Sequence, residues 1–248
     1  MRIQNSYFFS STIEDYNQLA DEYIQSFDEK YAKRMRYIED SMNVFMTSIY
    51  GYLPTAGEIK WPVLEPNYTI TTAPLVPFNE AWSYGTSDCI VHFYIDDSQF
   101  MRVFRCIDRY LPFLKQCQGV IGPDMSQYTD MPAEMRYRHA FCNVSLSYIL
   151  QTSGVNLYPN ITWSTTDSYG YSFPRNLVNS VIAINSNGVH KDRLSLYRWR
   201  KGYEMALTLL TPKHIIRYGQ VVTGEDMLIS SYYENERLKM LRNGRKRK

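Results

Sequence analysis

The sequence predicts an α/β protein with a largely parallel sheet, and two observations lead to this class. Short runs of β-branched and aromatic residues alternate along the chain with amphipathic segments long enough to cross the face of a sheet. Strands that are separated by such helices need βαβ crossovers, which place neighbouring strands parallel. The pattern leaves open whether the sheet is open or forms an incomplete or distorted TIM-like barrel.

Length and composition indicate one large domain with an N-terminal addition. The 248 residues are 44% hydrophobic, which is enough to bury a full core. No apolar run approaches the roughly 18 residues that a membrane helix needs, and the first residues are too polar for a signal peptide. We therefore expect a cytoplasmic protein without membrane contact. Its cysteines are widely spaced, which predicts reduced thiols rather than a zinc site, and they are Cys89, Cys106, Cys117 and Cys142.

Residues 1–50 are predicted to form an N-terminal helical arm. Leu19, Tyr23 and Phe27 belong to a series of apolar positions three or four residues apart among charged ones. Because the stripe is rich in tyrosine rather than leucine, it is unlike a coiled coil. The arm is expected to pack on the main body, or else to dock a partner protein or a second copy in a homo-oligomer.

Residues 51–77 are predicted to form an extended connector. They contain five prolines, which exclude a helix and allow at most an edge strand. An α/β domain is expected to follow over residues 78–228. Residues 229–248 are predicted to form a polar C-terminal helix and a basic tail.

The α/β domain is predicted to contain five strands and three long helices. Asp130 is expected to cap the second helix, because the following Met131 and Pro132 suit a first helical turn. His92 and His139 lie in apolar segments and are expected to be core histidines. The strands cover residues 89–95, 119–122, 155–163, 180–184 and 214–218, and the helices cover residues 99–115, 131–151 and 194–210.

Polar residues after the strands form the candidate catalytic site. In parallel α/β proteins the site lies beyond the carboxyl ends of the strands. This rule selects Asp97, Asp124 and Ser126 as catalytic candidates. It also selects further residues after the later strands, which are Trp163, Ser164, Asn185, Asn187, Tyr218 and Gly219. Together with Asp96, the two other aspartates are candidate ligands of Mg²⁺ or Mn²⁺, although the cofactor stays unknown. The same carboxylates also suit an acid and base pair, or structural caps of turns and helices.

Basic residues concentrate towards the C-terminus and predict contact with nucleic acid. Residues 187–248 hold 14 of the 27 Lys and Arg residues but only 6 of the 25 Asp and Glu residues. Cations beside Tyr197, Trp199 and Tyr203 suit phosphate contacts combined with base stacking. The alternative is an amphipathic helix whose basic stems cover apolar surface, followed by a solvated tail. The candidate nucleic-acid-binding residues are Lys191, Arg193, Arg198, Arg200, Lys201, Arg245, Lys246, Arg247 and Lys248.

Several common catalytic motifs are missing from the sequence. It contains no Gly-x-x-x-x-Gly-Lys-Ser/Thr loop and no Gly-x-Gly-x-x-Gly, so neither nucleotide hydrolysis by a P-loop nor a Rossmann cofactor is supported. Gly-x-Ser-x-Gly is also missing, which argues against an ordinary α/β-hydrolase.

Four segments of the chain resemble an uncharacterised family. They are residues 75–79, residues 91–97, the run Gly-Pro-Asp-Met-Ser-Gln-Tyr-Thr-Asp-Met-Pro at residues 122–132, and residues 154–164. Together they resemble domain-of-unknown-function family 4417, which is associated with phages, prophages and plasmids. The resemblance implies a mobile-element context and no established activity.

These observations favour a nucleic-acid-associated protein of a phage or plasmid that acts in replication or DNA processing. If it is an enzyme, which the sequence leaves uncertain, the aspartates would support metal-dependent phosphodiester chemistry. One alternative is a non-catalytic protein that binds another protein through its tyrosine-rich arm. Another is a small-molecule hydrolase or lyase on a barrel-like sheet.

Overall fold

The computed structural model describes residues 13–49, 61–83, 87–222 and 229–234. Within these ranges the chain is a mixed α/β structure in which every paired strand runs parallel to its neighbour. The predicted fold class is thereby confirmed at this level.

The strands form two parallel sheets whose order follows the chain. The first sheet has the order β1-β2-β3-β4, and the second has the order β5-β6-β7. All seven strands are short, with two to five residues each. The strands are β1 (Leu75–Pro77), β2 (Ile90–His92), β3 (Gly119–Ile121), β4 (Leu157–Tyr158), β5 (Val181–Asn185), β6 (His214–Tyr218) and β7 (Ser230–Tyr233).

The two sheets meet just beyond β4. The backbone N–H of Ile161 donates to the carbonyl of Ala183 at 2.9 Å, and the N–H of Ala183 donates to the carbonyl of Pro159 at 2.8 Å. Since Ala183 lies in β5, the chain after β4 runs beside β5. The carboxyl ends of β2, β3, β4 and β5 therefore face the same edge.

Helices connect and cover the strands. Helix α4 begins at Asp97 because the side chain of Asp96 accepts the backbone N–H of Ser98 at 3.1 Å, which satisfies a donor of the first turn. None of the described helices has the length and apolar character needed to cross a membrane. The helices are α1 (Ile13–Gln25), α2 (Glu29–Ile49), α3 (Phe78–Ala81), α4 (Asp97–Arg105), α5 (Ile107–Leu114), α6 (Ala133–Thr152), α7 (Tyr169–Ser172) and α8 (Arg193–Leu210).

The N-terminal helices pack on the α/β body. Helix α2 lies against α4, and the rings of Phe45 and Phe104 meet edge to face at 5.0 Å. The buried residues of α1 and α2, such as Ile24 and Met42, belong to the same core cluster as the helices over the sheet. The apolar stripe that the sequence reveals packs partly on the protein itself, since Leu19, Tyr23 and Phe27 are half-buried.

A second core cluster lies among the strands. It contains one or two buried side chains from each of β2 to β6, and Leu75 of β1 and Tyr233 of β7 pack against it. The cluster therefore gathers side chains from all seven strands on one face of the sheet. Its buried members are Ala73, Ile90, Tyr94, Ile121, Tyr158, Val181, Ala183, Ile216 and Tyr218.

Three predicted elements differ from the structure. The expected helix over residues 99–115 is broken at Cys106, whose backbone (φ −145°, ψ 57°) leaves the helical region while the apolar spacing continues across it. Asp130 was predicted to cap α6, but Pro132 takes the cap position in the structure. The predicted helix over residues 229–242 begins instead as β7, because parallel pairing with β6 overrides the polar helical pattern.

Several predicted segments lie outside the described residues. These are the start of the helical arm, much of the connector in residues 50–60, and the C-terminal basic tail from residue 235 onwards. The division of the chain into arm, connector, α/β domain and tail stays a prediction.

Candidate functional site

Asp124 lies at the carboxyl edge of the sheet, just beyond β3. Gly122, between strand and carboxylate, lies so close to α6 that a Cβ atom there would be 2.6 Å from the hydroxyl of Ser147. Glycine therefore lets the end of β3 pass directly beside α6. The following turn leaves Asp124 partly exposed, whereas its neighbour Met125 is fully buried.

Neutral side chains hold the carboxylate of Asp124. The side-chain amide of Asn160 donates to Oδ1 at 3.0 Å, and that of Asn185 donates to Oδ2 at 3.0 Å. Burial raises the pKa of Asp124 above its ordinary value, and these hydrogen bonds, together with the nearby hydroxyl of Thr162, oppose the rise. Two amides thus fix the carboxylate in place, and among the described residues no cation forms an ion pair with it.

Further contacts orient the two amides. The hydroxyl of Tyr94 donates to Oδ1 of Asn160 at 3.0 Å, and the backbone N–H of Asn187 donates to Oδ1 of Asn185 at 2.8 Å. Because each Oδ1 accepts a hydrogen bond, each amide nitrogen is turned towards Asp124. β2, β4 and β5 therefore all contribute to the position of one carboxylate after β3.

Asp97 is more deeply buried than Asp124. Only 5% of Asp97 is exposed, and its carboxylate accepts the backbone N–H of Ser126 at 3.2 Å and the hydroxyl of Ser126 at 3.2 Å. Burial raises the pKa of Asp97 to about 6, against the opposing effects of His139 and the Ser126 hydrogen bonds. The negative charge of Asp124 adds to the rise.

A buried polar chain connects Ser126 to the N-terminal helices. His139 Nδ1 lies 2.6 Å from the carbonyl of Ser126, and its Nε2 lies 3.2 Å from Oε1 of Glu39. The hydroxyl of Tyr16 donates to Oε2 of Glu39 at 2.7 Å. Since a carbonyl can only accept, Nδ1 must carry a proton, and the carboxylate beside Nε2 favours a second one. His139 is therefore a core histidine, as predicted, but one that takes part in an ion pair.

The charges of this pair stabilise each other. Burial opposes the charge on His139, but Glu39 holds the pKa of the imidazole above its ordinary value. Burial likewise opposes the charge on Glu39, whereas the hydrogen bonds from His139 and Tyr16 hold its pKa below the ordinary value. A charged imidazolium next to a carboxylate is the state that these contacts favour.

The three aspartates do not come together as metal ligands. Asp96 caps α4 and forms an ion pair with Arg34, while Asp97 and Asp124 are held by the donors described above. In the parts of the chain that the structure describes, no group of three or more His, Cys, Asp or Glu side chains is arranged to hold a metal ion. The carboxylate cluster expected for Mg²⁺ or Mn²⁺ therefore does not form among these residues.

The basic residues around the start of α8 are mostly exposed, but their aromatic neighbours are not. Trp199 and Tyr203 are buried and stack on each other at 4.9 Å, and the guanidinium of Arg217 lies 4.5 Å from the ring of Trp199. These two rings are therefore not free for base stacking, whereas Tyr197 is 58% exposed. Lys191, Arg193, Arg200 and Lys201 are exposed and Arg198 is partly exposed, while Arg245, Lys246, Arg247 and Lys248 lie outside the described residues.

The sequence alone did not identify Asn160, Tyr94 or Glu39 as parts of the site. The third strand was predicted to run to residue 163, but β4 ends at Tyr158. Asn160 is therefore the polar residue just beyond the strand, and a shorter strand would have revealed it. Tyr94 and Glu39 carry no such signal, because Tyr94 lies in a predicted buried strand and Glu39 is one of many charged residues in the predicted helical arm.

The comparisons with known proteins match the predicted family. The sequence profile of a domain of unknown function (DUF4417) matches residues 53–234, more than half of the chain. The Gene 1 protein of Mycobacterium phage L5 is 27% identical over 141 residues, which are 55% of this chain and 60% of that protein. The Gene 1 protein of Mycobacterium phage D29 is 26% identical over 195 residues, which are 76% of this chain and 68% of that protein.

No solved structure matches the chain significantly. The chain spans 60% of the length of the phage L5 protein, so nothing about the whole of that protein transfers directly. Both relatives are phage proteins, which agrees with the mobile-element context that the motifs imply. The match over residues 53–234 confirms the predicted resemblance, and the chain belongs to the DUF4417 family of domains of unknown function.

Proposed function

We propose that this chain is a nucleic-acid-processing protein of a phage, with its reaction site at the carboxyl edge of the sheet around Asp124. The observation that supports this most strongly is the fixed carboxylate of Asp124. It is partly exposed, its pKa is raised, and it is held by the neutral amides of Asn160 and Asn185. A carboxyl group in such surroundings suits proton transfer to or from a ligand.

Exposed cations at the same edge support a polyanionic substrate. The turn between β5 and α8 leaves the sheet at Asn185, which binds Asp124, and contains Lys191. Arg193 begins α8 directly after it. Because the helix after a parallel strand starts at the carboxyl edge, both cations lie on the side of the sheet where Asp124 is found. Phosphate groups bound there would bring a nucleic acid to the carboxylate.

The residues near Asp124 receive distinct roles in this proposal. Asp124 is the general acid or base that meets the substrate, and Ser126 offers a hydroxyl two residues later. Asp97 is a positioning residue, because it binds both the N–H and the hydroxyl of Ser126 from below the surface. The positions of Asp96, Asp97 and Asp124 favour an acid and base pair over a metal ion bound by three carboxylates.

The finer description of the fold, an incomplete or distorted TIM-like barrel, is also part of the proposal. Seven parallel strands in chain order are expected of a barrel, whereas doubly wound open sheets reverse their order. The core cluster that collects side chains from all seven strands supports the same description, because a barrel interior is filled in this way.

Binding of labelled single-stranded DNA at increasing salt tests the nucleic-acid function. Fluorescence anisotropy should give an affinity that falls steeply with salt, because binding releases counterions from the phosphates. The double variant Lys191→Ala/Arg193→Ala should lower the salt slope by about two.

The double variant Lys115→Ala/Lys213→Ala is the matched control. It removes the same charge from exposed residues that precede β3 and β6, at the opposite edge of the sheet. Its salt slope should stay that of the wild type. A wild-type protein that does not bind DNA, or equal losses in both variants, would overturn the proposal.

A further inference from the structure

A pocket lies beside the residues that hold Asp124. It encloses about 430 Å³ of empty volume, its open mouth included. Asn160 and Thr162 line it; Asn160 donates to the carboxylate of Asp124, and the hydroxyl of Thr162 lowers the pKa of that carboxyl. The described lining residues include no Asp, Glu, Lys, Arg or His, so the pocket suits a neutral group rather than a phosphate.

One lining residue has a buried donor without a partner. Asn143 is only 5% exposed, and its Oδ1 accepts the backbone N–H of Met125 at 3.0 Å. Its Nδ2 atom has no hydrogen-bond partner among the described residues. Because an unsatisfied buried donor is costly, this amide points to a ligand that offers an acceptor.

A complementary acceptor lies one helical turn further along α6. Ser147 lines the same pocket, and its hydroxyl donates to the backbone carbonyl of Asn143 at 2.8 Å. With its proton used in this way, Ser147 Oγ presents lone pairs and acts as an acceptor. Both residues line the pocket, so one side of α6 offers it a donor and an acceptor four residues apart.

We propose that this pocket binds a nucleobase through its lactam edge, the adjacent C=O and N–H groups of uracil, thymine or guanine. Asn143 Nδ2 donates to the carbonyl, and the ring N–H donates to Ser147 Oγ. The rings of Trp61 and Tyr171, which stack on each other at 5.7 Å, supply apolar wall for the base. The inference rests on the proposed function, because it makes the pocket the place where a nucleic acid is read beside Asp124.

Calorimetric titration of the full chain with 2′-deoxyuridine and 2′-deoxycytidine tests the pocket. The two nucleosides differ only at the edge that Asn143 and Ser147 would contact. Deoxyuridine should bind at least about ten-fold more tightly, because a site built for one hydrogen-bonding edge leaves its polar groups unpaired with another.

The variant Asn143→Asp tests the donor itself. Aspartate keeps the oxygen that accepts the Met125 N–H but replaces the amide donor by an acceptor, so the preference for deoxyuridine should fall at least about ten-fold. Asn79→Asp makes the same chemical change on the exposed surface of α3 and should leave the preference intact.

Ala140→Leu keeps the test decisive if Asn143→Asp fails to fold. Ala140 lines the pocket, and a larger side chain should block both nucleosides while circular dichroism shows an intact fold. A wild-type protein that prefers neither nucleoside, or a folded Asn143→Asp variant with the wild-type preference, overturns the inference. DNA binding measured on the same samples separates the two proposals, since a protein that binds DNA but no nucleoside loses only the pocket assignment.

Discussion

Asp97 and Asp124 follow neighbouring parallel strands, yet the protein holds them in opposite ways. Asp124 is partly exposed, and the neutral amides of Asn160 and Asn185 are its hydrogen-bond partners. Asp97 is buried behind Ser126, and the charge of His139 acts on it from the helical side. Burial raises the pKa of both carboxyl groups, but different surroundings oppose that rise.

The Asp124 region is therefore suited to chemistry, whereas the Asp97 region is suited to supporting the turn that contains Asp124. A ligand can reach the Asp124 region, where the amides are fixed by their own hydrogen bonds. The Asp97 region continues inward through His139 and Glu39 to Tyr16 on α1. The buried region therefore ties the N-terminal helices to the turn that contains Asp124 and Ser126.

Replacing Asp124 by asparagine should have the largest effect on activity. An amide cannot serve as a general acid or base, so we expect turnover of labelled DNA to fall at least about 100-fold. Gel analysis of the products over time measures the rate, and thermal unfolding checks the fold.

Asp108→Asn is the control for this change. It alters an exposed carboxylate on α5 in the same way and should leave turnover unchanged. Two results would contradict a catalytic role that Asp124 has and Asp97 lacks. One is a wild-type protein that turns over no DNA, and the other is an Asp124→Asn variant as fast as the wild type.

Replacing Glu39 by alanine should produce the largest loss of stability. The imidazolium of His139 and the hydroxyl of Tyr16 would both lose their partner, and breaking a buried ion pair costs about 3–5 kcal/mol. Urea denaturation at pH 7 measures the free energy of unfolding.

Glu39→Gln sharpens this test through its pH dependence. In the wild type the raised pKa of His139 gives stability that is fully present below pH 6.5 and is lost as the pH rises through the folded pKa. With a neutral glutamine the buried imidazole should resist protonation, so the variant should lose stability as the pH falls below 6.5. The same pH profile for both proteins would show that Glu39 and His139 are not paired as charges.

Asp97, Asp124 and Asn185 could be found from the sequence because their positions follow from local rules. Short β-rich runs end at these residues, and a parallel sheet brings strand ends to one edge. The same reasoning predicted the parallel sheet itself. This prediction depends only on where each strand ends, and that is a local property of the chain.

The partners of these residues could not be found in this way. His139 and Glu39 are 100 residues apart, and nothing in either helical pattern distinguishes a charged pair from ordinary polar positions. β7 escaped prediction for a related reason, since Ser230 to Tyr233 become a strand by pairing with β6 rather than by their own composition. Long-range contacts decide these features, and a single sequence does not display them.

Asp97→Asn should have a smaller effect, which appears as a change in the pH dependence of stability. The pKa of Asp97 is about 6 in the folded protein against an ordinary 3.8, so the folded state holds the proton more tightly. Stability should therefore fall as the pH rises from about 4 to about 6, and the full difference corresponds to about 3 kcal/mol.

Asparagine cannot ionise, so the variant should lose most of this fall while the wild type and an Asp96→Asn control keep it; the part that remains belongs to Asp124, whose pKa is also raised. Urea denaturation at pH 4, 5, 6 and 7 gives the three profiles. If all three proteins lose stability equally, the carboxyl group of Asp97 is not the main group that titrates in this range. If the fall is smaller in Asp97→Asn alone, a charge beneath Ser126 costs stability, and burial distinguishes Asp97 from the partly exposed, amide-held Asp124.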